Sequence, residues 1–165
     1  MRIFAFREIA LKSTRQMKLV IQRVKHASVS ISGKLHSEID AGLLVLVGVT
    51  HDDTEADVRY LAAKTSAMRI FNDDNGVMNR SVCDTGGDIL AVSQFTLLAS
   101  TRKGNRPSYI HAAGHDLAVP LYDLFCAECE RITGRIVRKG VFGADMQVEL
   151  INDGPVTIVI DSKDK

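Results

Sequence analysis

Three prolines in 165 residues leave few fixed breaks in the chain, and one of them, Pro155, stands inside a run that otherwise reads as a strand. The three cysteines, Cys83, Cys126 and Cys129, are odd in number and form no disulfide framework, which points to a reducing compartment. No charge of one sign dominates: 21 basic against 20 acidic residues leave a net +1, so a bulk electrostatic grip on nucleic acid is excluded and any RNA contact must be local. No apolar run approaches the roughly 18–20 residues that cross a bilayer. GxSxG, Walker and GxGxxG patterns are missing, as are repeats and low-complexity linkers.

What is present fits one compact domain, with 45% apolar and 25% charged residues. The leader, residues 1–16 (MRIFAFREIALKSTRQ), carries Arg2, Arg7, Lys12 and Arg15 against Glu8 alone and has no secretory h-region. It reads as an extension ahead of a natural start at Met17, with a transit peptide as the alternative. The fold is sought in residues 17–165. KLVIQRVKHASVSIS reads as two short β runs hinged near Lys25 and His26, and 42–49 as a strand buried on both faces. A helix capped by Asp53 or Thr54 runs to about Ile70, with Val58, Leu61, Ala62, Thr65 and Met68 inward. Asn75-Gly76 signals a hairpin. A strand over 89–95 follows, then a second helix from about Asp116 to Gly134, with Pro120 at its fourth position. Strands at 135–141, 145–152 and 156–161 close the chain. About seven strands and two helices give an α+β domain.

His111 and His115 in HAAGH have the spacing of a zinc pair, but Ala112 stands where HExxH needs glutamate and Gly114 weakens a helix, so no metal is expected. Cys126 and Cys129 have CxxC spacing without a second pair, and read as buried or edge thiols. SQFT at 93–96 puts Ser93, Gln94, Phe95 and Thr96 at the end of an apolar strand, where sheet proteins place working groups; a strand running into a polar loop is the plain alternative. Arg102, Lys103 and Arg106 in RKGNRPS either grip phosphates or form a solvated turn. Gly154-Pro155 in NDGPVT joins the two least ladder-compatible residues before Val156–Ile160, all strand formers.

SQFTLLA at 93–99, KGNRPSY at 103–109 and VFGADMQVELINDGPVT at 141–157 closely resemble the D-aminoacyl-tRNA deacylases, as do QRV at 22–24 and RIFND at 69–73. The resemblance runs from Met17 to about Asp161; Tyr109 stands where phenylalanine is usual. It implies a β-sheet-rich, barrel-like, homodimeric fold. The implied activity is hydrolysis of the ester joining a D-amino acid, or glycine, to the terminal ribose of tRNA, as proofreading in the cytoplasm or in an organelle, with no cofactor. By the resemblance, Gly154 and Pro155 are joined by a cis peptide bond and enter the partner subunit's pocket. There their carbonyls take the substrate's α-amino group and exclude L-side chains. Met146 supports this gate by packing and Arg23 orients it. Main-chain N–H groups around Gln94, Phe95 and Thr96 form an oxyanion hole, with water attack assisted by the ribose 2′-hydroxyl preferred over Thr96 as nucleophile. Phe142 either stacks on the terminal adenosine or is a core aromatic. A dimeric module that holds RNA ends without chemistry is the rival reading.

Overall fold

The computed structural model describes residues 16–163, so the leader expectation falls, but for Gln16, outside the described residues. Eight strands and three helices follow in the order β1 (Lys18–Ile31), β2 (Lys34–Ile39), β3 (Gly42–Gly48), α1 (Glu55–Ala67), β4 (Phe71–Asn72), β5 (Met78–Arg80), α2 (Val82–Thr85), β6 (Asp88–Ser93), α3 (His115–Thr133), β7 (Arg138–Lys139) and β8 (Gln147–Asp161). A 3₁₀ turn at Phe95–Leu98 follows β6. This is the α+β, sheet-rich architecture read from the sequence; the helix beyond the two expected, α2, is a single turn.

β1 is the spine. Its first half pairs with β3 and its second half with β2 along one edge, while β8 runs antiparallel along the other. β3 continues through parallel pairing to β6 and β7, giving the order β2-β1-β3-β6-β7. Ser37 on β2 donates its hydroxyl to Lys139 O on β7 at 2.8 Å, drawing the two ends of the sheet into a nearly closed barrel. The expected hinge at Lys25 and His26 is not a break: one strand runs through, and the ladder to β8 absorbs the bend as irregular register between Gln22 and His26.

Alternation along the strands sorts the core into two layers. Leu43, Val45 and Val47 of β3 with Ile89 and Ala91 of β6 face the helices, meeting Val58, Leu61 and Ala62 of α1 and Leu121, Phe125 and Cys129 of α3. Leu44, Leu90 and Val92 face the other way, against Val24, Ala27 and Val29. β3 is thus buried on both faces, as its unbroken apolar run indicates. Thr54 caps α1, and Asp57 Oδ2 accepts both its backbone N–H and its hydroxyl. α3 begins two residues earlier than the sequence suggests, because extended Gly114 accepts from the N–H groups of Leu117 and Ala118. Pro120 therefore sits at the sixth helical position and costs the helix one internal hydrogen bond.

The three closing strands of the sequence reading are in fact two. β7 is only Arg138–Lys139, and β8 runs through the Gly154-Pro155 pair rather than starting after it. The ladder breaks there: Gln22 pairs with Thr157 and Val24 with Asn152, so residues 153–156 bulge out opposite Arg23. Asn152 closes the bulge, its Oδ1 accepting from Val156 N at 2.8 Å and its Nδ2 donating to Val156 O at 3.0 Å. Gly154 is required by crowding rather than by a left-handed backbone, since a Cβ there would lie 2.5 Å from Val156 N. The Gly154–Pro155 peptide bond is cis.

Arg23, 7% exposed, faces the bulge. Its Nε donates to Asp153 O at 2.8 Å and one terminal nitrogen donates to Ile70 O at 2.7 Å. Arg23→Met leaves both carbonyls without a charged donor. Stability is expected to fall by about 2–4 kcal/mol, read as a lower urea midpoint at constant slope; an unchanged midpoint would show that the bulge is held without it.

Glu128 on α3 takes Arg59 of α1 at 2.7 Å and Arg131 at 2.9 Å. Hydrogen bonding from Arg131, then the charge of both guanidinium groups, holds its carboxyl below the ordinary 4.5 against the opposing effect of burial. The folded state therefore prefers the ionised form, and the stabilisation is complete above the ordinary value and lost as pH falls through the lowered one. Thermal melts should show Glu128→Gln less stable than the parent at pH 7, with the gap closing towards pH 3; a constant gap would mean the carboxylate charge is not what clamps the helices.

Candidate active site

Where β6 ends, its last residue, Ser93, pairs with Val47, and Gln94 donates its N–H to Val47 O at 2.8 Å before the chain turns into the 3₁₀ segment. The first bond of that turn is donated by Leu97 to Gln94 O, so the N–H groups of Phe95 and Thr96 precede it and have no partner within it. This trims the sequence expectation: the Gln94 N–H is already spent on the sheet. Gln94 Nε2 also donates to the Thr96 hydroxyl.

Ser93, Gln94 and Phe95 form one wall of a cavity of about 650 Å³. Phe142, Met146 and the turn between them form the opposite wall, and Tyr109 and His115 complete the rim. Thr96 does not line it; its side chain lies outside, exposed. The aromatic rings are seated by one another: Phe95 stands edge-on to Tyr109 at 5.0 Å, and Phe142 is held between His115 at 4.9 Å and Tyr122 at 6.1 Å. Tyr122 is itself anchored through its hydroxyl to Ala91 O at 2.8 Å, and burial pushes its phenol well above the usual range. Phe142 is thus both a half-buried packing residue and a cavity wall. Left-handed Gly143 (φ 78°) turns the backbone under His115, whose ring would stand 3.5 Å from any Cβ placed there.

The remaining expected site residues lie elsewhere. Gly154 and Pro155 are exposed at the bulge of β8, with Arg23 behind them, and none of the three lines the cavity. Met146 packs with the second core layer, and Val141 N–H points at its sulfur at 3.4 Å. From Gln147 to Asn152 the strand rises roughly 16 Å at about 3.3 Å per residue, so the bulge, midway along β8, lies well away from this chain's own cavity at the strand's N-terminal end.

The side-chain chemistry available in the cavity is the hydroxyls of Ser93 and Tyr109, the primary amide of Gln94, the Asp145 carboxylate and the His115 imidazole. Among the described residues, neither Ser93 nor Thr96 has its hydroxyl hydrogen-bonded to a histidine or carboxylate, so no activated side-chain nucleophile is assembled. Burial pushes the thiols of Cys126 and Cys129 up to about 12, which keeps them protonated and inert at neutral pH. His111 and His115 do not share a site: His115 lines this cavity and His111 a separate one. Sequence reasoning missed His115 and Tyr109 as cavity residues. The signal was the aromatic and imidazole spacing of YIHAAGH, legible only once Phe142 is known to lie across from it.

Comparison with known proteins gives the family of the chain. The D-Tyr-tRNA(Tyr) deacylase family matches residues 20–161. A D-aminoacyl-tRNA deacylase of Parabacteroides distasonis is 58% identical over 90% of this chain and 99% of its own length. One from Cytophaga hutchinsonii is 59% identical over the same shares. The solved structure of a c-Myc DNA unwinding element binding protein superposes with a TM-score of 0.81 at 38% identity, covering 87% of this chain and 97% of its own. That of a probable eukaryotic D-amino acid tRNA deacylase reaches 0.76 at 18% identity, covering 88% and 99%, a likeness of fold. On these grounds the chain belongs to the D-Tyr-tRNA(Tyr) deacylase family.

Proposed function

We propose that this chain hydrolyses the ester between a D-amino acid, or glycine, and the terminal ribose of tRNA, releasing free amino acid and tRNA. The observation that carries this reading is the two-walled cavity, with the strand-end residues Ser93, Gln94 and Phe95 on one side and Phe142 and Met146 on the other, in a chain so closely related to deacylases. The terminal adenosine stacks on Phe142 and the scissile ester lies against Ser93–Phe95. The N–H groups of Phe95 and Thr96 take the developing oxyanion; one such donor is worth about 10²–10³ in rate. Water attacks with help from the ribose 2′-hydroxyl, and no metal or other cofactor takes part.

Chirality is set by the backbone. The Gly154 and Pro155 carbonyls accept hydrogen bonds from the α-amino group and leave no room for an L-side chain, while glycine, lacking one, passes. This gate serves the cavity of a second copy, in a homodimer where it seats beside the partner's cavity wall at Met146; its separation from this chain's own cavity along β8 supports that reading. Asn152 and Arg23 hold the gate from behind. Arg102, Lys103 and Arg106, on the exposed loop between the paired Ser100 and Ser108, grip the acceptor-end phosphates. The catalytic domain runs from Met17 onward, with residues 1–16 a separate leader, and the reaction belongs in the cytoplasm unless that leader directs the chain to an organelle. Among the described residues no helix is long and apolar enough to cross a membrane.

Incubating catalytic protein and chelator with D-Tyr-tRNA beside L-Tyr-tRNA should remove the D-ester and spare the L-ester. Retention of both would return the chain to a non-catalytic RNA-end binder, and loss of both would end the carbonyl gate. Thr96→Ala should keep D-Tyr-tRNA turnover within about tenfold of the parent, since only its N–H is used. A fall beyond about 10⁴-fold, the size expected for a lost covalent nucleophile, would restore Thr96 to that role.

A further inference from the structure

A second cavity, of about 310 Å³, is lined by Thr50, His51, Asp52, Ile110 and His111. It shares one structural element with the first. The segment 109–113 is fastened to the end of β3 by the Thr50–Ala112 bridge and by Ala113 N–H donating to Val49 O at 2.9 Å. Tyr109, Ala112 and Ala113 of this segment line the first cavity, and Ile110 and His111 line the second.

Part of its chemistry is unused by the fold. Thr50 is 1% exposed, yet among the described residues its hydroxyl has no hydrogen-bond partner. His51 directs Nε2 at Ile110 O, 3.2 Å away, which makes Nε2–H the donor and leaves Nδ1 as an acceptor in the neutral ring. Among the described residues no hydrogen bond engages the His111 ring or the Asp52 carboxylate, and Ile110 is 73% exposed. An apolar face beside a carboxylate, two imidazoles and a buried hydroxyl suits neither a bare anion, which Asp52 repels, nor a hydrocarbon. It suits a flat heterocycle with an exocyclic amine: Asp52 accepts from the amine, as carboxylates do from cytosine N4, and unpaired bases are the part of RNA that proteins read.

We propose that this cavity takes the nucleotide preceding the aminoacylated one on the single-stranded acceptor end. The inference rests on the deacylase reading above: the two cavities flank segment 109–113, so a strand whose terminal nucleoside fills the first reaches the second by crossing that one segment.

The test compares the D-tyrosyl esters of adenosine and of the dinucleotide CpA, which differ by this one nucleotide. Wild-type protein should hydrolyse the CpA ester with kcat/KM at least about tenfold higher, the gain lying in KM. His111→Ala and Asp52→Asn should each bring the two esters to within about twofold, with the adenosine ester hydrolysed as before. Equal rates for both esters in the wild type, or an advantage that survives both substitutions, overturns the proposal. A second readout separates it from the function it rests on: the His111 ring-proton resonances should move on titration with CpA and stay put with adenosine. Hydrolysis of neither ester with that shift present refutes the deacylase reading alone, and absence of the shift refutes the cavity's assignment.

Discussion

A buried guanidinium, Arg23, is the constraint on which the working parts of the molecule depend. It stands on the spine strand at the point where four residues of β8 leave the ladder opposite one residue of β1. A bulge of that size exposes backbone groups that need partners. Arg23 supplies one to Asp153 O, and with the same planar group reaches Ile70 O, where the chain leaves α1 for the β4–β5 hairpin. The charge is taken out of water, and fork geometry lets its several donors compensate that cost. A lysine at this place has the charge but not the two directions.

From that anchor the geometry propagates in both senses along β8. Towards the N-terminal end of the strand, Met146 packs into the second core layer and closes the cavity wall. At the bulge, Asn152 completes a closed turn through both polar groups of Val156. The cavity and the exposed carbonyls are thus rigidly related through one strand, and the roughly 16 Å between them is a property of strand rise rather than of any side chain.

The sequence showed the elements whose patterns are local. The apolar run at 42–49 could only be a strand with two buried faces, and the Val58, Leu61, Ala62 spacing could only be one face of a helix. SQFT was visible because polar residues at the end of an apolar strand are incongruous. What stayed hidden depends on distant partners. The continuity of β1 through Lys25 and His26 is fixed by β8, more than a hundred residues away. The early start of α3 follows from Gly114 accepting two N–H groups, which displaces Asp116 as the cap. Gly154 stood out as a poor ladder residue, and only the fold shows that it is there for lack of volume. His115 looked like half of a metal pair, and only the fold sets it against Phe142.

Among the described residues β8 pairs with β1 alone, so its outer edge is an open strand edge fifteen residues long, carrying exposed Val148, Ile151 and Val159. Edges of that length recruit further strands and seed aggregation. The bulge at Asp153–Val156 divides this one into two short stretches, and Pro155 has no N–H with which to bridge them. The interruption of the edge and the projecting turn are therefore made by the same four residues, and any shortening of the loop that straightens β8 would lengthen a sticky edge as it removed that turn.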